Sequence, residues 1–213
     1  MARHNKCKRA WLHEHIHDYY VQQAKRQQYR SRAAFKLLAL QQTDKLFSGG
    51  DWVADLGAAP GSWSQVARQA VGANGKVFAI DCLPMAPIPG VEVLCGDFSD
   101  PEILAVFVAP LQKRQLDLVI CDIAPNLTGV RVIDQAKSIY LNELALLFCQ
   151  EHLKIGGHFL VKTFQGEGFN AYKQWMQLLF HTVVSRKPQA SRDRSKELYL
   201  LGKHKRQRTQ SKE

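Results

Sequence analysis

Asp55-Leu-Gly-Ala-Ala-Pro-Gly-Ser-Trp63 decides how the rest of the chain is read. An apolar run over 51–56 leads into a glycine-bearing loop, and a helical pattern follows over 62–71. A strand, a glycine loop and a helix in that order open the nucleotide-cofactor site of an open α/β sheet. Gly57 and Gly61 let the backbone approach a ligand closely where the helix begins. The loop lacks the full G-x-G-x-x-G of dinucleotide enzymes, so on its own it does not select a cofactor.

Outward from this stretch, strand-like and helix-like segments alternate. Strands are predicted over 76–81, 91–95, 116–121, 157–163, 181–186 and 197–202, and helices over 11–24, 31–42, 101–108, 135–153 and 170–180. Two helices are well marked, because Leu141, Leu144, Ala145, Phe148 and Tyr172, Trp175, Met176, Leu179 each follow the i, i+3, i+4, i+7 rule. Alternation of this kind predicts a parallel sheet with helices on both faces. The last two strands have no helix between them and are expected to pair antiparallel.

The chain has 213 residues, 46% of them hydrophobic, enough for one substantial core. Its net charge of +10 sits at the ends: residues 1–36 carry +7, residues 186–213 carry another +7, and the middle is left with −4. Basic ends suit a polyanion, since each phosphate neutralised releases counterions. Residues 1–45 read as a basic arm and helices packed on the domain, 46–202 as the domain itself, and 203–213 as a basic tail. Five cysteines, odd in number and mostly in apolar runs, predict buried thiols and no disulfide framework. With no signal peptide and no long apolar span, the expected location is cytoplasmic, with no membrane contact. The segment holding His4, Cys7, His13, His15 and His17 has helical rather than strand spacing, so no metal is expected there.

In such a sheet, ligands lie beyond the carboxyl ends of the strands. The residues at those ends are Gly57 to Trp63, Asp81, Asp97, Asp122 and Lys162. Asp81 can accept hydrogen bonds from a ribose, which fits NAD as well as S-adenosylmethionine. Asp97 can bond an adenine amino group, and Asp122-Ile-Ala-Pro-Asn126 puts a carboxylate and a proline-constrained turn at the cofactor's reactive end. Hydride transfer needs no such carboxylate, so a dehydrogenase leaves Asp122, Lys162 and the basic ends unexplained. Lys162 ends the apolar run that follows Gly156-Gly157, which aims its ammonium at the same crevice.

Ser31-Arg-Ala-Ala-Phe-Lys36-Leu, Asp55 to Trp63, Asp122 to Asn126, Val161-Lys162-Thr-Phe-Gln-Gly166 and Ser191-Arg-Asp-Arg-Ser-Lys-Glu197-Leu-Tyr form an ordered set. In that set the chain resembles the FtsJ/RrmJ family of ribosomal RNA large subunit 2′-O-ribose methyltransferases, over residues 25–202. The resemblance implies a Rossmann-like methyltransferase fold with a mostly parallel seven-stranded sheet. It implies S-adenosylmethionine as cofactor, contacted by Gly61, Trp63, Asp81, Asp97 and Asp122, and a catalytic tetrad of Lys36, Asp122, Lys162 and Glu197. The substrate it implies is a uridine ribose of large-subunit RNA in an assembled or nearly assembled subunit. The protein itself is expected to act as a monomer with no required protein partner. Thr163 departs from the family's usual aliphatic residue. Arg30, Arg32 and Lys36, with Tyr29, are expected on the RNA-facing surface. Two alternatives stand beside this reading: methylation of another RNA such as tRNA, and a non-catalytic ribosome-assembly factor of the same fold.

Overall fold

The computed structural model describes residues 18–125, 128–191 and 195–207. The histidine-bearing segment up to residue 17, Asn126, residues 192–194 and the tail from 208 lie outside the described residues. Strands β1 (Trp52–Leu56), β2 (Lys76–Asp81), β3 (Val91–Cys95), β4 (Leu116–Cys121), β5 (Leu153–Phe164), β6 (Phe180–Arg186) and β7 (Glu197–Lys205) form one sheet. Their order is β3-β2-β1-β4-β5-β7-β6. β1 to β5 are parallel, and β7 runs antiparallel between β5 and β6. The described helices are α1 (Tyr19–Arg26), α2 (Ala34–Asp44), α3 (Ser62–Val71), α4 (Pro101–Val108), α5 (Arg131–His152) and α6 (Phe169–Leu179).

Helices cover both faces, as the alternation requires. α4, α5 and α6 pack one face around Phe78, Val119, Phe159 and Val161. α2 and α3 pack the other around Val53, Leu118, Ile120, Leu160 and Tyr199. Central strands are therefore apolar on both sides, and each large side chain removed from water contributes about 1.5–3 kcal/mol. β3 is an edge strand and mostly exposed. Cys95 at its end and Cys82 just past β2 are exposed for that reason, while Cys121 and Cys149 are buried as the composition predicts.

Local signals explain most boundaries. Asp100 caps α4 by accepting from the Glu102 N–H, with Pro101 in the first turn. Where boundaries move, tertiary pairing is the reason. β7 continues to Lys205 because β6 pairs with it, Phe180 against Lys205 and Thr182 against Lys203. Residues 203–205, read from sequence as the start of a tail, thus belong to the sheet. α2 begins at Ala34 rather than 31, leaving Arg32 in the preceding turn. No helix among the described residues is long and apolar enough to cross a membrane.

The connections out of β1 and β4 lead to opposite sides of the sheet, making the gap between these two neighbours the topological switch point. A ligand crevice belongs above the carboxyl ends of such a pair.

Candidate active site

Two groups of side chains meet at this crevice, and Asp122 belongs to both. On the β5–β7 side, Lys162 stands opposite Tyr199 in the antiparallel pair, two residues from the Phe164–Glu197 pair. Period-two alternation therefore puts Lys162, Tyr199 and Glu197 on one face, the face covered by α2. Lys162 is only 7% exposed. Its Nζ donates to the Asp122 carbonyl at 2.5 Å and lies 3.1 Å from Asp122 Oδ1. Lys36, carried across by α2, sits 2.5 Å from Glu197 Oε1.

Tyr199 joins the two pairs. Its buried hydroxyl lies 3.0 Å from Asp122 Oδ1 and 3.3 Å from Glu197 Oε1. The Lys36 ammonium lies 5.9 Å from the centre of its ring, and the Trp63 ring packs 5.6 Å away. Lys36, Asp122, Lys162 and Glu197 thus share one hydrogen-bonded network running through Tyr199. Burial pushes the Glu197 carboxyl up, but the Lys36 ammonium outweighs it and holds the group below the usual carboxylate range. Burial raises the Tyr199 phenol well above its ordinary value, with Asp122 and Glu197 adding to the effect.

On the β1–β3 side the groups are acids. Asp81 accepts from the Ala59 N–H at 2.9 Å and from the Leu83 N–H at 2.8 Å. Asp97 accepts from both the N–H and the hydroxyl of Ser99, at 2.9 and 2.7 Å. With Asp122 and Gly57 they line a cavity of about 460 Å³ whose other walls include Ile80, Phe98, Ile123 and Leu141. Three carboxylates among apolar walls fit a ligand that combines positive charge, hydroxyls and a flat ring. Gly57 must be glycine: its φ is +76°, and a Cβ there would meet Ile123 Cγ1 at 2.0 Å. Below the cavity floor, Asp55 is fully buried and accepts from the Ser64 hydroxyl at 2.5 Å. Burial, reinforced by Asp122 and Asp81 against the opposing Ser64 bond, pushes its carboxyl up to about 7.

Gly61 and Trp63, expected to touch the cofactor, are not among the residues lining this cavity. Trp63 turns to the other face of the sheet, where its indole N–H donates to the Ala33 carbonyl at 2.9 Å. The space over Gly61 is filled instead by Ile88 and the Arg30 guanidinium. Arg30 and Arg32 are likewise engaged inside the protein. The Arg30 guanidinium donates to the carbonyls of Pro60, Ala86 and Pro87 at 2.7–2.9 Å, stapling two crevice loops together. Arg32 is ion-paired with Asp18 and donates to the Ala190 carbonyl. Both guanidiniums thus have backbone or carboxylate partners within the protein. Tyr199 is a residue that the strand-end pattern does not select, although it stands two residues after Glu197 in the same strand.

The FtsJ-like methyltransferase family model matches residues 29–205. The chain is 56% identical over 206 residues to the ribosomal RNA large subunit methyltransferase E of Neisseria meningitidis serogroup C, covering 97% of this chain and 100% of that one. It is 58% identical over 194 residues to the protein of the same description from Nitrosomonas europaea, covering 91% and 94%. Among solved structures, a candidate ribosomal RNA methyltransferase from Plasmodium falciparum superposes with a TM-score of 0.76 at 29% identity, covering 84% of this chain and all of that one. A fibrillarin/Nop5p complex shares the fold with a TM-score of 0.54 at 18% identity over 74% of each chain.

Proposed function

The chain belongs to the FtsJ-like methyltransferase family, and from that membership we propose that it transfers a methyl group from S-adenosylmethionine to the 2′-hydroxyl of one uridine in large-subunit ribosomal RNA. The substrate in this reading is the assembled or nearly assembled subunit. The observation that carries it is the joining of Lys36, Asp122, Lys162 and Glu197 in one network at the mouth of an acid-lined cavity. The relatives named for it support ribosomal RNA as the species methylated, and the tetrad that the family resemblance implies supports a ribose hydroxyl as the acceptor.

In this reading Asp81 and Asp97 hold the adenosine of the cofactor, and Asp122 faces its charged end. When bound, S-adenosylmethionine supplies an electrophilic methyl on a sulfonium. A ribose hydroxyl is a weak nucleophile near neutral pH, so the protein must favour the oxygen as it loses its proton. Asp122 accepts two contacts from the Lys162 ammonium and leaves the third hydrogen for the ribose oxygen. Lys162 then steers the hydroxyl and stabilises developing negative charge, and water takes the proton afterwards. Glu197 fixes Lys36, which holds the substrate's ribose or phosphate. Tyr199 keeps the two carboxylates in register.

The test is transfer from labelled S-adenosylmethionine to large subunits from cells lacking this protein, with free ribosomal RNA and tRNA alongside, followed by mapping of the modified ribose. One methylated uridine in the subunit is the expected result. Transfer confined to tRNA would keep the chemistry and overturn the substrate, and binding without transfer to any RNA would replace the enzyme with an assembly factor.

A further inference from the structure

Beside the cofactor cavity lies a second groove of about 500 Å³, lined in part by Pro125, Arg131, Val132, Gln135, Phe164 and Lys196. We propose that it receives the base of the nucleotide whose ribose is methylated, and that it selects a pyrimidine with an N–H at ring position 3. This inference rests on the methyl-transfer reading above.

Pro125 lines both the cofactor cavity and the groove, so the turn over 122–125 is the wall between them. On the groove side, Phe164 pairs with Glu197 two residues beyond Lys162. A ribose held at the tetrad therefore has the cofactor on one side of this turn and the groove on the other.

Val132 is 68% exposed at the start of α5 and lines the groove together with Pro125 and the half-buried Phe164. An uncovered apolar floor of this kind suits the flat face of an unstacked base, which gains from contact with apolar and aromatic side chains. Arg131 and Lys196 are exposed at the rim, where flanking phosphates would lie, and Glu167 opposes them. The Asp134 carboxylate is already occupied by the N–H groups of Thr128 and Gly129 and the Thr128 hydroxyl.

Selectivity comes from Gln135. Its Nε2 donates to the carbonyls of Phe164 at 3.3 Å and Glu167 at 3.1 Å. Carbonyls only accept, so the amide is held with nitrogen toward them and Oε1 left as a fixed acceptor. Uracil offers an N3–H donor to such an oxygen. Cytosine offers an acceptor at the same place, and two facing acceptors leave both unpaired.

Three measurements test this. The methylated position is first mapped in large subunits and then replaced with 4-thiouridine, and irradiation should crosslink it to residues within 131–135 or 164–166. Val132→Glu, at an exposed position that the fold does not use, should raise the KM for subunits about tenfold and leave cofactor affinity unchanged. Subunits carrying cytidine at the mapped position should be methylated about a hundredfold more slowly. Crosslinks confined to α1 and α2, an unchanged KM, or full activity on cytidine would each overturn the groove while transfer itself persists. Absence of any RNA methylation would instead overturn the methyl-transfer reading, and this inference with it.

Discussion

The two sides of the crevice hold their charges differently. On the β1–β3 side, Asp81 and Asp97 are held by backbone N–H groups and a serine, and Asp55 is buried with its carboxyl raised to about 7. On the β5–β7 side every carboxylate contacts an ammonium, Glu197 with Lys36 and Asp122 with Lys162. Asp81 and Asp97 thus keep negative charge available to a cationic ligand, while the buried Asp55 lies outside the cavity lining. The β5–β7 side is paired within the protein, which fixes the positions of the two ammonium groups that meet the substrate. Asp122, shared by both, is where binding and chemistry meet.

The largest effect should come from breaking the paired side. Lys162→Ala is expected to lower methyl transfer at saturation by about 10³-fold or more, with cofactor affinity by calorimetry nearly unchanged. Loss of affinity with turnover preserved at saturation would place Lys162 on the binding side and dissolve the comparison. Asp81→Ala should do the reverse. Loss of one charged hydrogen-bonding contact is expected to weaken cofactor affinity roughly 10-fold to 100-fold, with turnover at saturating cofactor close to wild type. Equal losses in both quantities would mean that the two sides do not act separately.

Asp55 sharpens the contrast most gently, through stability. Its folded-state carboxyl is raised to about 7 from an ordinary value of 3.8, so the folded protein binds this proton more tightly than the unfolded chain does. The associated stability is fully present below the ordinary value, declines as pH rises through the interval, and is lost above about 7. Asp55→Asn stays neutral and keeps an acceptor for Ser64. Relative to wild type, the variant should gain stability on the order of 3 kcal/mol between about pH 4 and pH 8, read by denaturant unfolding without cofactor. A difference that does not vary with pH would show that Asp55 is ionised in the fold.

Legibility from sequence differed from residue to residue. Strand-end acids and Lys162 were found because the alternation of apolar runs and helices locates strand ends, and a parallel sheet gathers those ends at one edge. The pairing of β6 with β7 was readable from the missing helix between them. Three other features were not readable. Trp63 lies in the loop–helix stretch and reads as a cofactor contact, yet its ring faces Ala33 and Tyr199. Arg30 and Arg32 read as a basic surface, yet each closes bonds to carbonyls far along the chain. Among the described residues the buried Thr163 hydroxyl and Asn142 amide nitrogen have no hydrogen-bond partner, and local sequence does not show that either is buried unpaired.

By itself, then, the sequence determined which residues bear chemistry and the order of the elements that carry them. Both follow from local periodicity and from the charge each residue type brings. Tertiary structure alone decided which of those charges remain available. That Lys36 meets Glu197 across 161 positions, and that Arg30 reaches Ala86 and Pro87, depends on how α2 and the crevice loops dock against the sheet. Whether a charge faces a ligand or a partner of its own is a matter of distance and burial, and neither is a property of any one segment.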